Sequence, residues 1–76
     1  MPRLKRLTAK QILKILHAAG FRTTHTRGSH VHLWNQQKEH LRVVVPFHNK
    51  VLAPKTIKSI IVQAELDVKI IKYFFD

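Results

Sequence analysis

The segment Arg27-Gly28-Ser29-His30-Val31-His32-Leu33-Trp34 decides how the rest of this sequence is interpreted. Gly followed by Ser predicts a tight turn, because a residue without a Cβ adopts backbone conformations that other residues avoid. The residues after the turn alternate between two kinds of side chain, and a period of two is that of a β-strand. One face of this strand carries His30, His32 and Trp34, and the other carries Val31 and Leu33. We expect the aliphatic face to pack on a core and the histidine face to meet solvent or a ligand.

The residues before this segment predict one amphipathic helix and one strand. Thr8 and Gln11 have the spacing of a Thr-x-x-Gln capping box, which marks a helix start. Apolar residues then recur at helical spacing until Gly20, which suits the left-handed position after a helix end. From residue 21 the period changes to two, so the Thr-rich segment 21–26 is predicted to be the first strand.

Two further strands and two helices are predicted after the turn. The second strand runs over residues 30–35 and the third over 41–47, where Pro46 ends the strand or places it at a sheet edge. Residues 48–53 form a loop that is polar at its start. The next helix begins at Pro54, with Thr56 as an alternative cap, and residues 68–75 form a short third helix whose aromatic side chains complete the core.

This order predicts a single α+β domain over residues 1–76. It is an α-β-β-β-α sandwich with a three-stranded antiparallel sheet, both main helices on one face, and a short C-terminal helix. The second face of the sheet is left free.

Charge is the strongest signal in the composition. Fourteen Lys and Arg against four Asp and Glu give a formal net charge of +10. A small domain this basic is attracted to polyanions, with nucleic acid ahead of anionic membrane. A merely cationic protein without such a ligand is the alternative. The absence of cysteine excludes disulfides and thiolate metal sites, and no apolar run is long enough for a signal-peptide core or a membrane span. We therefore expect a soluble, cytoplasmic protein that does not act at a membrane.

Four stretches of the sequence form a recognisable set: Ala19-Gly20-Phe21, Arg27-Gly28-Ser29-His30, Val45-Pro46-Phe47-His48 and residues 54–64. In this order they resemble the HicA (YcfA-like) family of mRNA interferase toxins. Gly-Ser-His is the most specific of these stretches. The sequence departs from the family pattern at Lys55 and Glu65, where the family usually has Gly at the start of and just after its second helix.

The resemblance implies a fold like that of a double-stranded-RNA-binding domain and the toxin of a type II toxin–antitoxin system that cuts mRNA. It also implies a HicB-like antitoxin that covers the active site. The catalytic histidine of the family corresponds to His30.

The residue types themselves suit RNA cleavage without a cofactor. Histidine moves protons near neutral pH, so His30 is the expected general base or acid. Arg27 is expected to bind the phosphate, with Gly28 and Ser29 bringing the backbone close to it. His32 and His48 are candidates for the second proton-transfer group. Lys10 and Lys14 on the first helix are candidates for further phosphate contacts, although solvated helix faces commonly carry lysine.

Three alternatives remain open at this stage. His30, His32 and His48 have the chemistry of a three-histidine zinc site. A non-catalytic RNA-binding module would show the same charge. A basic surface for an acidic protein partner is the third alternative.

Overall fold

The order of helices and strands in the computed structural model is the predicted one. In chain order they are α1 (Ala9–Ala18), β1 (Phe21–Arg27), β2 (His30–Asn35), β3 (Arg42–Pro46), α2 (Pro54–Ala64), α3 (Val68–Ile71) and a 3-10 turn (Lys72–Phe74). The structure describes residues 3–48 and 50–75. The two ends of the predicted 1–76 domain and Asn49 of the predicted loop lie outside the described residues.

Helix α1 begins and ends where its local sequence predicts. The N–H of Gln11 donates to Thr8 Oγ1 over 3.3 Å, and the N–H of Thr8 donates to Gln11 Oε1 over 2.9 Å, which completes the capping box. Gly20 follows the helix with φ +98°, a backbone conformation that favours glycine. Ile12 and Leu16 on the apolar stripe are fully buried.

The three strands form an antiparallel sheet in the order β1-β2-β3. Strand β3 is one residue shorter at each end than predicted. At its start, the N–H of Leu41 closes a turn onto the Lys38 carbonyl. At its end, Pro46 lacks a backbone N–H. The sequence predicts that Pro46 ends the strand or places it at a sheet edge. Both predictions are confirmed, because β3 ends at Pro46 and is also an edge strand.

The hydrophobic core lies between one face of the sheet and the two main helices. Alternate residues of β2 and β3 supply the sheet side of this core, and α1 and α2 supply the helix side. The buried apolar residues of these four elements are Ala9, Ile12, Leu16, Val31, Leu33, Val43, Val45, Ile57, Ile60 and Ala64. The predicted arrangement of both helices on one sheet face is therefore confirmed.

The C-terminal part of the chain differs in detail from the prediction. Helix α2 begins at Pro54 with Ala53 at the cap position, so Thr56 lies inside the helix and is not a cap. The predicted third helix over 68–75 is too long, since α3 ends at Ile71 and continues as a 3-10 turn. Phe74 is fully buried, which confirms that the aromatic end of the chain contributes to the core.

Candidate functional site

His30 is the first residue of β2 and its side chain is exposed to solvent. It faces away from the core, on the sheet face opposite the helices. In the strand register it is paired with Arg27 on β1 and with Pro46 on β3. An imidazole and a guanidinium therefore lie side by side at one end of an open sheet face. This places the two residues predicted for proton transfer and phosphate binding next to each other.

The turn that joins β1 to β2 depends on the backbone of Gly28. Its φ is +59°, and Ser29 is not left-handed, which is the pattern of a type II′ hairpin turn. A Cβ built on Gly28 would meet no atom within 4 Å. Glycine is thus required here for its backbone conformation and not for lack of space. The N–H of Phe47 donates to the Ser29 carbonyl, so the chain leaving β3 holds this turn in place.

A β-bulge at Thr24 brings a further histidine to the same face. The register between β1 and β2 shifts by one residue between Thr23 and His25. Beyond the shift, His25 is paired with His32 and their rings stack with centroids 4.3 Å apart at 13°. The Thr24 hydroxyl lies 3.0 Å from His25 Nδ1 and 3.2 Å from the His32 carbonyl oxygen. His25 is thus a residue of this face that the sequence pattern does not predict.

The pKa of His32 is lowered by its surroundings on this face. Its partial burial within the sheet lowers the pKa of the imidazole below the ordinary 6.5, and the nearby His25, His30 and Arg27 lower it further. His32 is therefore mainly neutral at neutral pH. A neutral imidazole beside an exposed one is suited to accepting a proton.

The outward face of the sheet is basic and carries no acidic residue. Its nine residues are Arg22, His25, Arg27, His30, His32, Trp34, Arg42, Val44 and Pro46. We call these residues the open sheet face. No helix of the described chain packs against it. A polyanion can approach such a surface without meeting a like charge.

The other predicted site residues lie apart from this face. Lys10 and Lys14 are exposed on α1, in the helical layer on the far side of the sheet. Lys14 lines a small apolar groove with Ile70 and Tyr73. Their contact with phosphate stays a prediction. His48 is exposed two residues after β3, and the bond from Phe47 to Ser29 keeps this part of the chain beside the turn.

The three-histidine zinc alternative finds no support in the geometry. Within residues 3–48 and 50–75, no three histidine or acidic side chains converge in a way that could hold a metal ion. A groove of about 600 Å³ lies elsewhere, between the end of α1 and the segment around Glu65. The candidate site is a shallow surface and not a pocket.

Comparison with known proteins agrees with the family resemblance of the sequence motifs. No helix in the described part of the chain has the length and apolar character to cross a membrane. None of the curated proteins compared with this chain matches it. The family model described as the HicA toxin of bacterial toxin–antitoxin systems matches residues 9–66, which include α1, the sheet and α2. The chain therefore belongs to the HicA toxin family.

Proposed function

We propose that this toxin is a metal-independent ribonuclease in which His30 transfers a proton and Arg27 binds the phosphate at the cut site. The observation that carries the proposal is the pairing of these two residues across β1 and β2, exposed on a face without acidic residues. A planar guanidinium donates two hydrogen bonds to phosphate oxygens. The adjacent imidazole then lies within reach of the ribose that carries that phosphate.

The reaction uses a nucleophile that RNA itself supplies. A base removes the proton from the 2′-hydroxyl, and the oxygen attacks the neighbouring phosphorus. The bond from phosphorus to the 5′-oxygen breaks, and an acid donates a proton to that leaving oxygen. The products are a 2′,3′-cyclic phosphate and a 5′-hydroxyl end. Arg27 stabilises the negative charge that collects on the phosphate oxygens during these steps.

His32 is our proposed partner of His30 in the two proton transfers. It lies two residues further along the same strand face, and its lowered pKa keeps the ring in the neutral form that can accept a proton. His48 is the alternative partner, since the chain beside it is held at the Gly28-Ser29 turn.

RNA blocked at the 2′-position tests this function against binding alone. The protein is incubated with an RNA and with the same strand fully 2′-methoxylated, in excess chelator, and the products are sized and their ends analysed. We expect cleavage of the RNA only, with cyclic phosphate and 5′-hydroxyl ends. Cleavage of the blocked strand, or a requirement for metal, would contradict the mechanism. A strand that is shifted on a gel but never shortened would identify a non-catalytic RNA-binding module.

We further propose a HicB-like antitoxin as the protein partner. Membership of a toxin–antitoxin family supports such a partner, and the net charge of +10 favours an acidic surface on it. We place its contact on the open sheet face, where it would block Arg27 and His30 together. Co-expression with the neighbouring gene, scored for recovery of growth, tests this: continued toxicity despite expression of that gene would contradict the pairing.

A further inference from the structure

The open sheet face carries a tryptophan that the proposed cleavage chemistry does not use. Trp34 is half-buried and points away from the core, on the same strand face as His30 and His32. Its indole N–H donates to the Glu39 carbonyl over 3.0 Å. That bond fixes the ring while leaving it on a face that no helix of the described chain covers. An apolar ring held in this way suits stacking against another flat ring.

Two arginines flank this tryptophan across the sheet. Arg22 on β1 and Arg42 on β3 are both its register partners. The Arg22 guanidinium donates to the carbonyls of His17, in the last turn of α1, and Phe21, the first residue of β1, so its charge is held toward α1. The Arg42 side chain takes part in none of the hydrogen bonds or ion pairs found among the described residues, which leaves its guanidinium available to a phosphate. Trp34 is therefore an aromatic ring whose register partner on β3, Arg42, offers an available guanidinium.

From this arrangement we infer that Trp34 stacks on a base of single-stranded RNA, with Arg42 binding a neighbouring phosphate, at a subsite apart from the cut site. Trp34 lies four positions along β2 from His30, a distance of about 14 Å. A short single strand laid along β2 reaches both positions. Aromatic stacking with basic residues alongside is the way sheet surfaces bind single strands without strong sequence preference. Bases in a duplex are already stacked and paired, so this subsite selects unpaired RNA. The inference deepens the proposed function, since it places the substrate of that reaction along β2.

The chain offers a direct probe, because Trp34 is its only tryptophan. Wild-type protein is titrated with a short 2′-methoxy single strand, which cannot be cut through its 2′-oxygen, while tryptophan fluorescence is recorded. We expect saturable quenching by the single strand and much weaker quenching by the same strand annealed to its complement. A strand with the bases removed but the same phosphates should not quench. Equal quenching by the duplex or by the abasic strand, or no quenching, would overturn the inference.

Variants test whether the stack contributes to binding. With a labelled single strand, Trp34→Ala is expected to weaken binding roughly 5- to 150-fold, the effect of losing one base–aromatic stack. Trp34→Phe should keep most of the affinity. Tyr73→Ala removes an exposed aromatic far from the sheet face and should change nothing. Unchanged binding by Trp34→Ala would contradict the subsite.

These results separate the subsite from the catalytic proposal. Binding and quenching do not require cleavage, so a protein that quenches but never cuts would retain the subsite and lose the ribonuclease. A protein that cuts RNA without any quenching of Trp34 fluorescence would retain the ribonuclease and lose the subsite.

Discussion

Glu65 shows at the scale of one residue what a departure from the family sequence does. It follows α2 in the left-handed conformation, with φ 45° and ψ 51°, at a position where the resemblance to the family leads us to expect glycine. A side chain with a Cβ is strained in this region and glycine is not. The carboxylate lies 3.9 Å from His40 Nε2, but both side chains are exposed and such pairs contribute little. The departure at Glu65 thus leaves the helix end intact and stores backbone strain there.

Replacing Glu65 by Gly should therefore stabilise the protein. We expect a gain of about 0.5–1 kcal/mol in the free energy of unfolding, measured by denaturant titration. Gly28→Ala is the matched opposite change, because it places a Cβ at φ +59° in open space and should lose a similar amount. No gain from Glu65→Gly would show that the backbone at this position is not strained.

His32 makes stability depend on pH in a definite direction. Its pKa is lower in the folded protein than the ordinary 6.5, so the unfolded chain binds the proton more readily. The contribution of the neutral His32 ring to protein stability is fully present when the pH is above the pKa of His32 in the unfolded chain. This contribution is lost as the pH falls through the pKa of His32 in the folded protein. We expect the free energy of unfolding to fall from about pH 7 to about pH 5, in the range where histidine titrates. His32→Gln should flatten this fall; a variant whose stability falls with pH as steeply as that of the wild type would contradict the assignment.

The two main helices differ in how they begin. Helix α1 has a full capping box at Thr8, whereas α2 starts at Ala53 and Pro54 with no side-chain cap. The extended backbone of Ala53, with φ −63° and ψ 147°, is that of an N-cap residue, so a polar side chain there could reach the free N–H groups.

Opposite effects are expected from changing these two caps. Thr8→Ala should cost about 1 kcal/mol of stability, and Ala53→Asp should add up to about 1 kcal/mol, because a carboxylate also favours the positive end of the helix dipole. Thermal unfolding followed by circular dichroism measures both changes. A loss of stability in Ala53→Asp would mean that the start of α2 is set by packing and not by its cap.

The elements show which parts of the site the sequence could predict. His30, His32 and Trp34 were correctly placed on one face, because alternation along a single strand needs no knowledge of its neighbours. His25 required the pairing between strands. With a two-residue turn at 28–29, regular pairing would put Phe21 on the same face as His25 and Arg27. The apolar Phe21 belongs in the core, and that conflict is the sequence signal for the extra residue at Thr24.

The less predictable features have physical reasons as well. The change from α3 to a 3-10 turn has no periodic signal in so short a segment, since both helices tolerate the same residues. The distance between Lys10 or Lys14 and the open sheet face depends on which side of the sheet the helix packs. That side is set by the core face of β2, so the predicted sandwich already implies this separation.

At the scale of the whole molecule, the residues of the core lie apart from those that we propose for RNA binding and cleavage. The helices and one sheet face form the core, and the second sheet face is left to basic and aromatic residues. Of the four acidic residues in the sequence, Glu39, Glu65 and Asp67 lie in the described part, and none is on the open sheet face. Removing a residue from this face should therefore change RNA cleavage more than it changes folding.

The most direct test of this account is the single-turnover rate of RNA cleavage by His30→Ala beside the wild type. The exposed helix variant His17→Ala serves as the matched control, and circular dichroism checks that both variants fold. Losing a general acid or base typically slows a reaction by about 10²–10⁴-fold, and we expect a loss in that range for His30→Ala and none for His17→Ala. A folded His30→Ala protein that cuts RNA at the wild-type rate would contradict the central claim.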